Sequence, residues 1–217
     1  MKNEISITRE KIVTLFDSDY VRVFDLQYAP GKHYYDATRR TLEDLAAAKS
    51  DSDFREMLPD AVSCIVILET PGEEPRLLLS YEYRYPAGRY LLSVPAGLID
   101  EEDKKEENPI AAAAVREIRE ETGLESGEAD CAAIVNPLLF SSPGMTDESN
   151  ALVCVRLHPE DLSVLSREGA EESERFDGFV LLTKAEALEL LKNGRDQRGN
   201  YYPVYTWAAL MYFAVFQ

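Results

Sequence analysis

Three glutamates in the segment Arg116-Glu117-Ile118-Arg119-Glu120-Glu121-Thr122-Gly123-Leu124 carry the most pointed chemistry in this chain. A helix turns about 100° per residue, which puts Glu117, Glu120 and Glu121 in one sector and Ala111, Ala114, Val115 and Ile118 in another. Like charges one turn apart cost a helix roughly 0.2–0.5 kcal/mol, so the spacing of Glu117 and Glu121 calls for a cation. Carboxylate oxygens with no His or Cys among them suit a hard ion, magnesium or manganese, which keeps several waters and bridges to phosphate oxygens. Zinc fits poorly. The two histidines, His33 and His158, lie far from this helix in sequence, and Cys64, Cys131 and Cys154 have no paired ligand spacing. The bland alternative is a solvated acidic helix face, which is how most charge runs behave.

The elements that must position these acids are readable on both sides. Asn108-Pro109 is an N-cap followed by proline at the first helical position, so the helix is expected to start there and to end at Gly123. Val62 to Leu68 and Arg76 to Tyr83 read as strands around a Pro71-Gly72 turn, and Cys131 to Leu139 and Ala151 to Leu157 read as strands after the helix. Thr183 with Glu186 three residues later is a capping-box signature ahead of Ala187, Leu188, Leu190 and Leu191, with Gly194 as the stop. A last helix is predicted over Thr206 to Phe216, its Trp207, Tyr212 and Phe213 serving packing. Before all this, Tyr20 to Tyr28 and Tyr34 to Thr38 read as strands around a Pro30-Gly31 turn. Residues 41 to 58 form a short helix or linker, which Pro59 should end. The expected organisation is a β-rich N-terminal segment over residues 1–58 and an α/β domain over residues 59–217.

Composition bounds the partners. The 217 residues are 45% hydrophobic and 29% charged, an ordinary globular balance without a low-complexity tract or internal repeat. A formal charge of -17 is the wrong sign for a nucleic acid backbone. A small diphosphate remains suitable, because bound divalent ions invert the local field and arginines such as Arg84 add positive charge. No apolar run reaches the length of a membrane span, and Met1-Lys2-Asn3-Glu4 does not open a signal peptide, so the expected location is cytoplasmic. The three cysteines sit in apolar contexts and are expected to be buried reduced thiols.

The segment from Arg116 through Leu124 matches every fixed position in the second half of the Nudix box, so the chain resembles the Nudix hydrolases of nucleoside-diphosphate derivatives. Counting back from Arg116 puts Asn108 where the family has its first glutamate, with Glu107 one residue out of register. It also leaves the loop after Gly97 about five residues longer than the family pattern. Two flanking segments are similar to the ADP-ribose pyrophosphatase branch: Tyr81 to Pro86 followed by Val94-Pro95-Ala96-Gly97-Leu98-Ile99-Asp100, and Ser141-Ser142-Pro143-Gly144-Met145-Thr146-Asp147-Glu148. Ser93 stands where many members of that branch carry a glutamate, which keeps the substrate open.

The resemblance implies a Nudix α/β/α sandwich with a mixed sheet, preceded by an N-terminal β segment that helps build a homodimer. It implies Mg2+, or Mn2+, held by Glu117, Glu120, Glu121 and the backbone carbonyl of Ala96, with Gly97 letting the backbone approach the ions. Arg116 would orient the glutamates by ion pairing. Glu148 would act as general base on the attacking water, with Asp147 and Glu120 in reserve, and Arg84 would grip a phosphate or stack on a base. Arg84 could equally pair with Glu82. Glu101 to Glu107 read as a solvated loop and none is expected to be a primary ligand. The implied activity is hydrolysis of ADP-ribose or a related nucleoside diphosphate sugar to AMP and a sugar phosphate. Another nucleoside diphosphate derivative as substrate, or a sensor that binds a nucleotide without turnover, are the alternatives.

Overall fold

A computed structural model describes residues 5, 7–127, 130–169 and 174–217. The chain divides into two units: Met1–Asp60 with Leu138–Asn150, and Ala61–Pro137 with Ala151–Gln217.

In the first unit, strands β1 (Ile12–Asp17), β2 (Arg22–Ala29) and β3 (Lys32–Thr38) pair in that order as an antiparallel meander. The β2–β3 turn is the expected Pro30-Gly31, where Gly31 has a φ of 66° that a side chain would resist. Ile12, Phe24 and Leu26 from the strands bury against Leu45, with Ile7, Leu42, Ala47 and Ala48 around them. Val13, Leu15 and Phe16 of β1 are exposed. Within residues 41–58 only Asp51–Arg55 is α-helical (α1), capped by Ser50, and a 3-10 turn at Ala46–Ala48 precedes it.

The second unit is built on β4 (Ala61–Leu68), β5 (Arg76–Arg84), β6 (Arg89–Ser93), β7 (Ala96–Leu98), β8 (Cys131–Phe140), β9 (Ser149–Leu157) and β10 (Phe176–Leu182). The sheet order is β10-β5-β4-β9-β8, with β6 paired to β5 and β7 paired to β4. The last residues of β8 and the first of β9 belong to the first unit. Every residue of β4 is buried, as a strand covered on both faces requires. Its Val62, Cys64, Val66 and Leu68 cluster with Ile110, Ala113, Ala114 and Ile118 of helix α2 (Pro109–Thr122) and with Ala151, Val153 and Val155 of β9. By strand alternation Ile65 and Ile67 point the other way, and α4 (Val204–Met211) also packs on β4. The α/β sandwich read from the sequence is the fold observed.

Helix ends follow their local chemistry. The Asn108 side chain accepts from the Ala111 N–H at 3.2 Å, Pro109 is the first helical residue, and Gly123 closes α2 with a φ of 71°. Helix α3 (Lys184–Asn193) carries the full Thr183/Glu186 capping box and stops at Gly194. The last helix begins at Val204, directly after Pro203, and continues as a π-helical turn over Tyr212–Phe216, so the stretch is two kinds of helix rather than one.

In the second unit three strands are not apparent in the sequence pattern. β6 and β7 are short and split by Val94-Pro95, while β10 is broken by Gly178, where its register against β5 shifts. One burial expectation is corrected: Cys64 and Cys154 are buried free thiols, but Cys131 is exposed. It lies on β8, the end strand of the sheet order, whose first four residues all face solvent.

Candidate active site

Arg116, on the second turn from the end of α2, gathers the acids of the second unit. Its Nη1 donates to Glu117 Oε1 at 2.8 Å and to Glu120 Oε2 at 3.0 Å. Its Nη2 donates to Asp103 Oδ2 at 2.8 Å and to the Leu98 carbonyl at 2.8 Å, and its Nε lies 3.6 Å from Asp100 Oδ2. Asp103 heads these interactions in holding the guanidinium's pKa above its ordinary value, despite partial burial. Burial works against the Asp103 charge, yet hydrogen bonds from Arg116 and from the Asp100 N–H outweigh it and draw its carboxyl below the usual range.

The loop read as solvated therefore has one buried member. Lys104–Glu101 and Lys105–Glu102 are exposed pairs, as expected, but Asp103 is only 5% exposed. Reciprocal bonds hold it there: Asp100 Oδ1 accepts from the Asp103 N–H at 3.2 Å and Asp103 Oδ2 accepts from the Asp100 N–H at 3.1 Å. The Asp-x-x-Asp spacing, which lets each carboxylate cap the other's backbone, was the available sequence signal.

Two box carboxylates are buried. Burial pushes Glu117 up to about 7, opposed by Arg116 and reinforced by the charges of Glu120 and Glu174. Glu121, 3% exposed, is raised well above the ordinary value by burial, while the Ala96 N–H opposes the shift by donating to its Oε1 at 3.2 Å. The charges of Glu174, Glu82 and Glu117 add to the push on Glu121. Glu174 is thus a fourth acid in the field of the box that sequence reasoning passed over. It lies more than fifty residues downstream, in an acid-rich stretch with no spacing to distinguish it.

Gly97 follows Ala96 on β7, which pairs with β4 through Ser63↔Ala96 and Val62↔Gly97. A Cβ on Gly97 would overlap the carboxylate of Glu117. The glycine is therefore a matter of space: the strand and the glutamate share a position that any side chain would claim.

A divalent cation fits by donor chemistry. Arg116 faces four carboxylates, Arg119 Nη2 lies 3.8 Å from one of them, Glu120, and a fifth carboxylate, Glu121, is held by a backbone N–H. These are hard oxygens in excess of the positive charge nearby. As the side chains stand, no three His, Cys, Asp or Glu groups among the described residues converge to hold an ion.

The remaining candidates are placed as follows. Arg84, at the end of β5, has its Nη2 2.5 Å from Glu82 Oε2, the pairing alternative, and is half-exposed. Burial raises Glu82, Arg84 opposes, and Glu174 adds to the rise, so Arg84 adjoins the same acidic field. Ser93 is buried on β6 opposite Ser80 and donates to the Leu91 carbonyl at 3.3 Å. Glu148 belongs to the first unit, its Oε1 accepting from Arg39 Nε at 3.5 Å. Its neighbour Asp147 accepts from Thr38 Oγ1 at 2.5 Å and from the Ala46 N–H at 2.9 Å, and its own N–H donates to Asp36 Oδ1 at 3.1 Å. Asp36 is pushed up to about 6 by burial and by the Asp147 charge. The buried Arg40 binds Asp60 at 2.9 Å and Ser149 Oγ at 3.3 Å, completing a network that fixes the residues beside Glu148.

The NUDIX domain matches residues 57–205 of this sequence. The chain belongs to the NUDIX domain family. It is similar to the mouse ADP-sugar pyrophosphatase, 33% identical over 132 residues that cover 61% of this chain and 56% of that protein. It is also similar to the Bacillus subtilis ADP-ribose pyrophosphatase, 26% identical over 154 residues, covering 70% and 74%. The Saccharomyces cerevisiae ADP-ribose pyrophosphatase is 33% identical over 144 residues, covering 64% and 57%. The chain spans about half the length of most of the curated relatives it matches. A crystal structure of an ADP compounds hydrolase shares the fold with a TM-score of 0.58 and 20% identity, covering 92% of this chain and 88% of that one.

For this NUDIX protein, Gly97→Ala is expected to displace the Glu117 carboxylate from Arg116. Binding of Mn2+, followed by electron paramagnetic resonance, should weaken by roughly tenfold or more while the fold is retained. Unchanged Mn2+ binding would contradict the assigned role of Gly97.

Proposed function

We propose that this chain hydrolyses the pyrophosphate bond of ADP-ribose or a related nucleoside diphosphate sugar, releasing AMP and a sugar phosphate. ADP-ribose would give AMP and ribose 5-phosphate. The observation that carries the reading is the Arg116 arrangement, which organises Glu117 and Glu120 beside the buried Glu121 and the Ala96 peptide. The names of the pyrophosphatase relatives support the substrate class.

In this proposal Glu117, Glu120, Glu121 and the Ala96 carbonyl hold Mg2+, with Mn2+ as a substitute. Bound divalent ions supply charge neutralisation at the diphosphate and make a bound water more acidic. Arg116 orients Glu117 and Glu120 by ion pairing and opposes the burial-driven rise of Glu117. Arg84 exchanges Glu82 for a phosphate oxygen, a bond its planar fork suits. Water attacks phosphorus, the bridging P–O bond breaks, and the water's proton passes to the Glu148 carboxylate as general base. Glu174 is the competing base, favoured by its charge acting on Glu117 and Glu121 within one unit.

The protein would work in the cytoplasm, and among the described residues no helix is long and apolar enough to cross a membrane. Its charge of -17 leaves a small nucleotide, rather than a nucleic acid or an anionic membrane, as the partner. The exposed Val13, Leu15 and Phe16 on β1 support homodimer formation through the N-terminal sheet. Light scattering should give twice the 24.5 kDa chain mass, and a monomer at working concentration would remove the dimer.

The test is incubation with a panel of nucleoside diphosphate sugars and dinucleotides, with Mg2+ or chelator, measuring AMP and phosphorylated product. Mg2+-dependent AMP release from ADP-ribose is expected, with Glu120→Gln slower by about 10²-fold or more. Glu148→Gln and Glu174→Gln identify the base by which of the two abolishes turnover at saturating Mn2+. Nucleotide binding without turnover of any panel member would support a sensor, and preference for a dinucleotide would move the substrate class.

A further inference from the structure

Arg167 is a cation in the second unit that the box does not use. Its guanidinium lies 4.1 Å from the centroid of the Phe179 ring and 4.8 Å from that of Phe176. Its Nε and Nη2 are buried, with no hydrogen-bond partner among the described residues. The two rings explain where the cation rests. Unpaired buried donors weaken a fold, however, so apolar packing alone accounts poorly for an arginine.

The backbone to either side of Arg167 and of its aromatic partners is pinned. On one stem, the Ser166 N–H donates to the Thr122 carbonyl at 2.8 Å, at the last turn of α2. Gly169 lies flat against the same helix: a Cβ there would be 2.9 Å from the Glu120 carbonyl oxygen and 3.0 Å from its Cα. On the other stem, the Arg175 carbonyl accepts from the Tyr83 N–H at 2.7 Å, and Phe176 pairs with Glu82 on β5. One stem is thus fixed to the box helix and the other to β5. Arg167 reaches from the first to the second, and Glu174 is the residue immediately before the β5 pin.

We infer that Arg167 is a positioning residue, joining the two stems so that the Glu174 carboxylate stands beside Glu117 and Glu121, where a divalent cation and a diphosphate would be held. What those acids hold rests on the proposed hydrolase reading. The placement agrees with the charge of Glu174 acting on Glu82, Glu117 and Glu121. Burial lowers the pKa of Arg167, and the charges of Glu121 and Asp177 oppose that shift, so the guanidinium also offsets part of the local negative charge.

The test compares Arg167→Met and Arg167→Lys in the full chain, reading Mn2+ affinity by electron paramagnetic resonance, kcat and KM for ADP-ribose, and thermal melting. Arg167→Met should weaken Mn2+ binding roughly tenfold and lower kcat to a similar degree, with KM within about twofold and melting unchanged. Arg167→Lys, which keeps a cation over the rings, should recover most of both. In a Glu174→Gln background, Arg167→Met should cause no further loss of Mn2+ affinity. Wild-type Mn2+ affinity in Arg167→Met would overturn the inference. So would a loss that tracks a lowered melting temperature and is not recovered by lysine. If the wild-type protein binds Mn2+ but turns over no panel substrate, the hydrolase reading fails, while the Mn2+ shift still decides the role of Arg167.

Discussion

Arg116 faces the four carboxylates of Asp100, Asp103, Glu117 and Glu120, with Arg119 adding a second positive charge 3.8 Å from Glu120, and the surrounding parts of the second unit are shaped around that imbalance. Two arms of the guanidinium face in different directions: Nη1 toward the helix acids, Nη2 toward Asp103 and the Leu98 carbonyl. The residue therefore ties the strand and loop before the helix to the helix face itself. A lysine would supply the charge without the fork. The loop is longer than the family pattern, and Asp103 with its reciprocal Asp100 bonds shows how the extra length is kept against the helix.

Holding acids this way opposes the ordinary tendencies of a folded chain. Buried carboxylates prefer to be neutral, and Glu117 and Glu121 are both pushed toward protonation. Arg116 limits that tendency at Glu117 and the Ala96 N–H limits it at Glu121, while neighbouring elements fix where the two side chains lie. The Ala96 N–H gives Glu121 one hydrogen bond, Gly97 leaves room for Glu117, and Asn108 and Gly123 cap the helix that spaces the acids. What remains is a set of hard oxygens with less positive charge than they can use, which is the physical basis for reading the site as one that takes up divalent ions and, through them, a diphosphate.

Sequence conveyed the parts of this that are local. The caps at Asn108, Gly123, Thr183 and Gly194, the buried run of β4 and the sector shared by Glu117, Glu120 and Glu121 all follow from spacing along one element. Pieces assembled across elements were harder to read. Asp103 looked like one more solvated acid because its burial depends on Arg116 thirteen residues on. Glu174 acts on the box from more than fifty residues downstream, next to an Arg175 carbonyl bonded to Tyr83, which no local pattern announces. β6 and β7 are too short to show periodicity beside Val94-Pro95. Cys131 sits in an apolar context yet faces solvent because its strand ends the sheet, a fact of topology rather than composition.

The central claim is that the Arg116-organised carboxylates are an ion site and not merely a buried salt-bridge cluster. Crystals grown with Mn2+ and a non-hydrolysable ADP-ribose analogue, measured at a wavelength where manganese scatters anomalously, test it most directly. The account predicts anomalous density about 2.1 Å from oxygens of the Glu117, Glu120 and Glu121 group, with Arg116 still bonded to Asp103. Density confined to other acids, or nucleotide bound with no manganese at these glutamates, would contradict it.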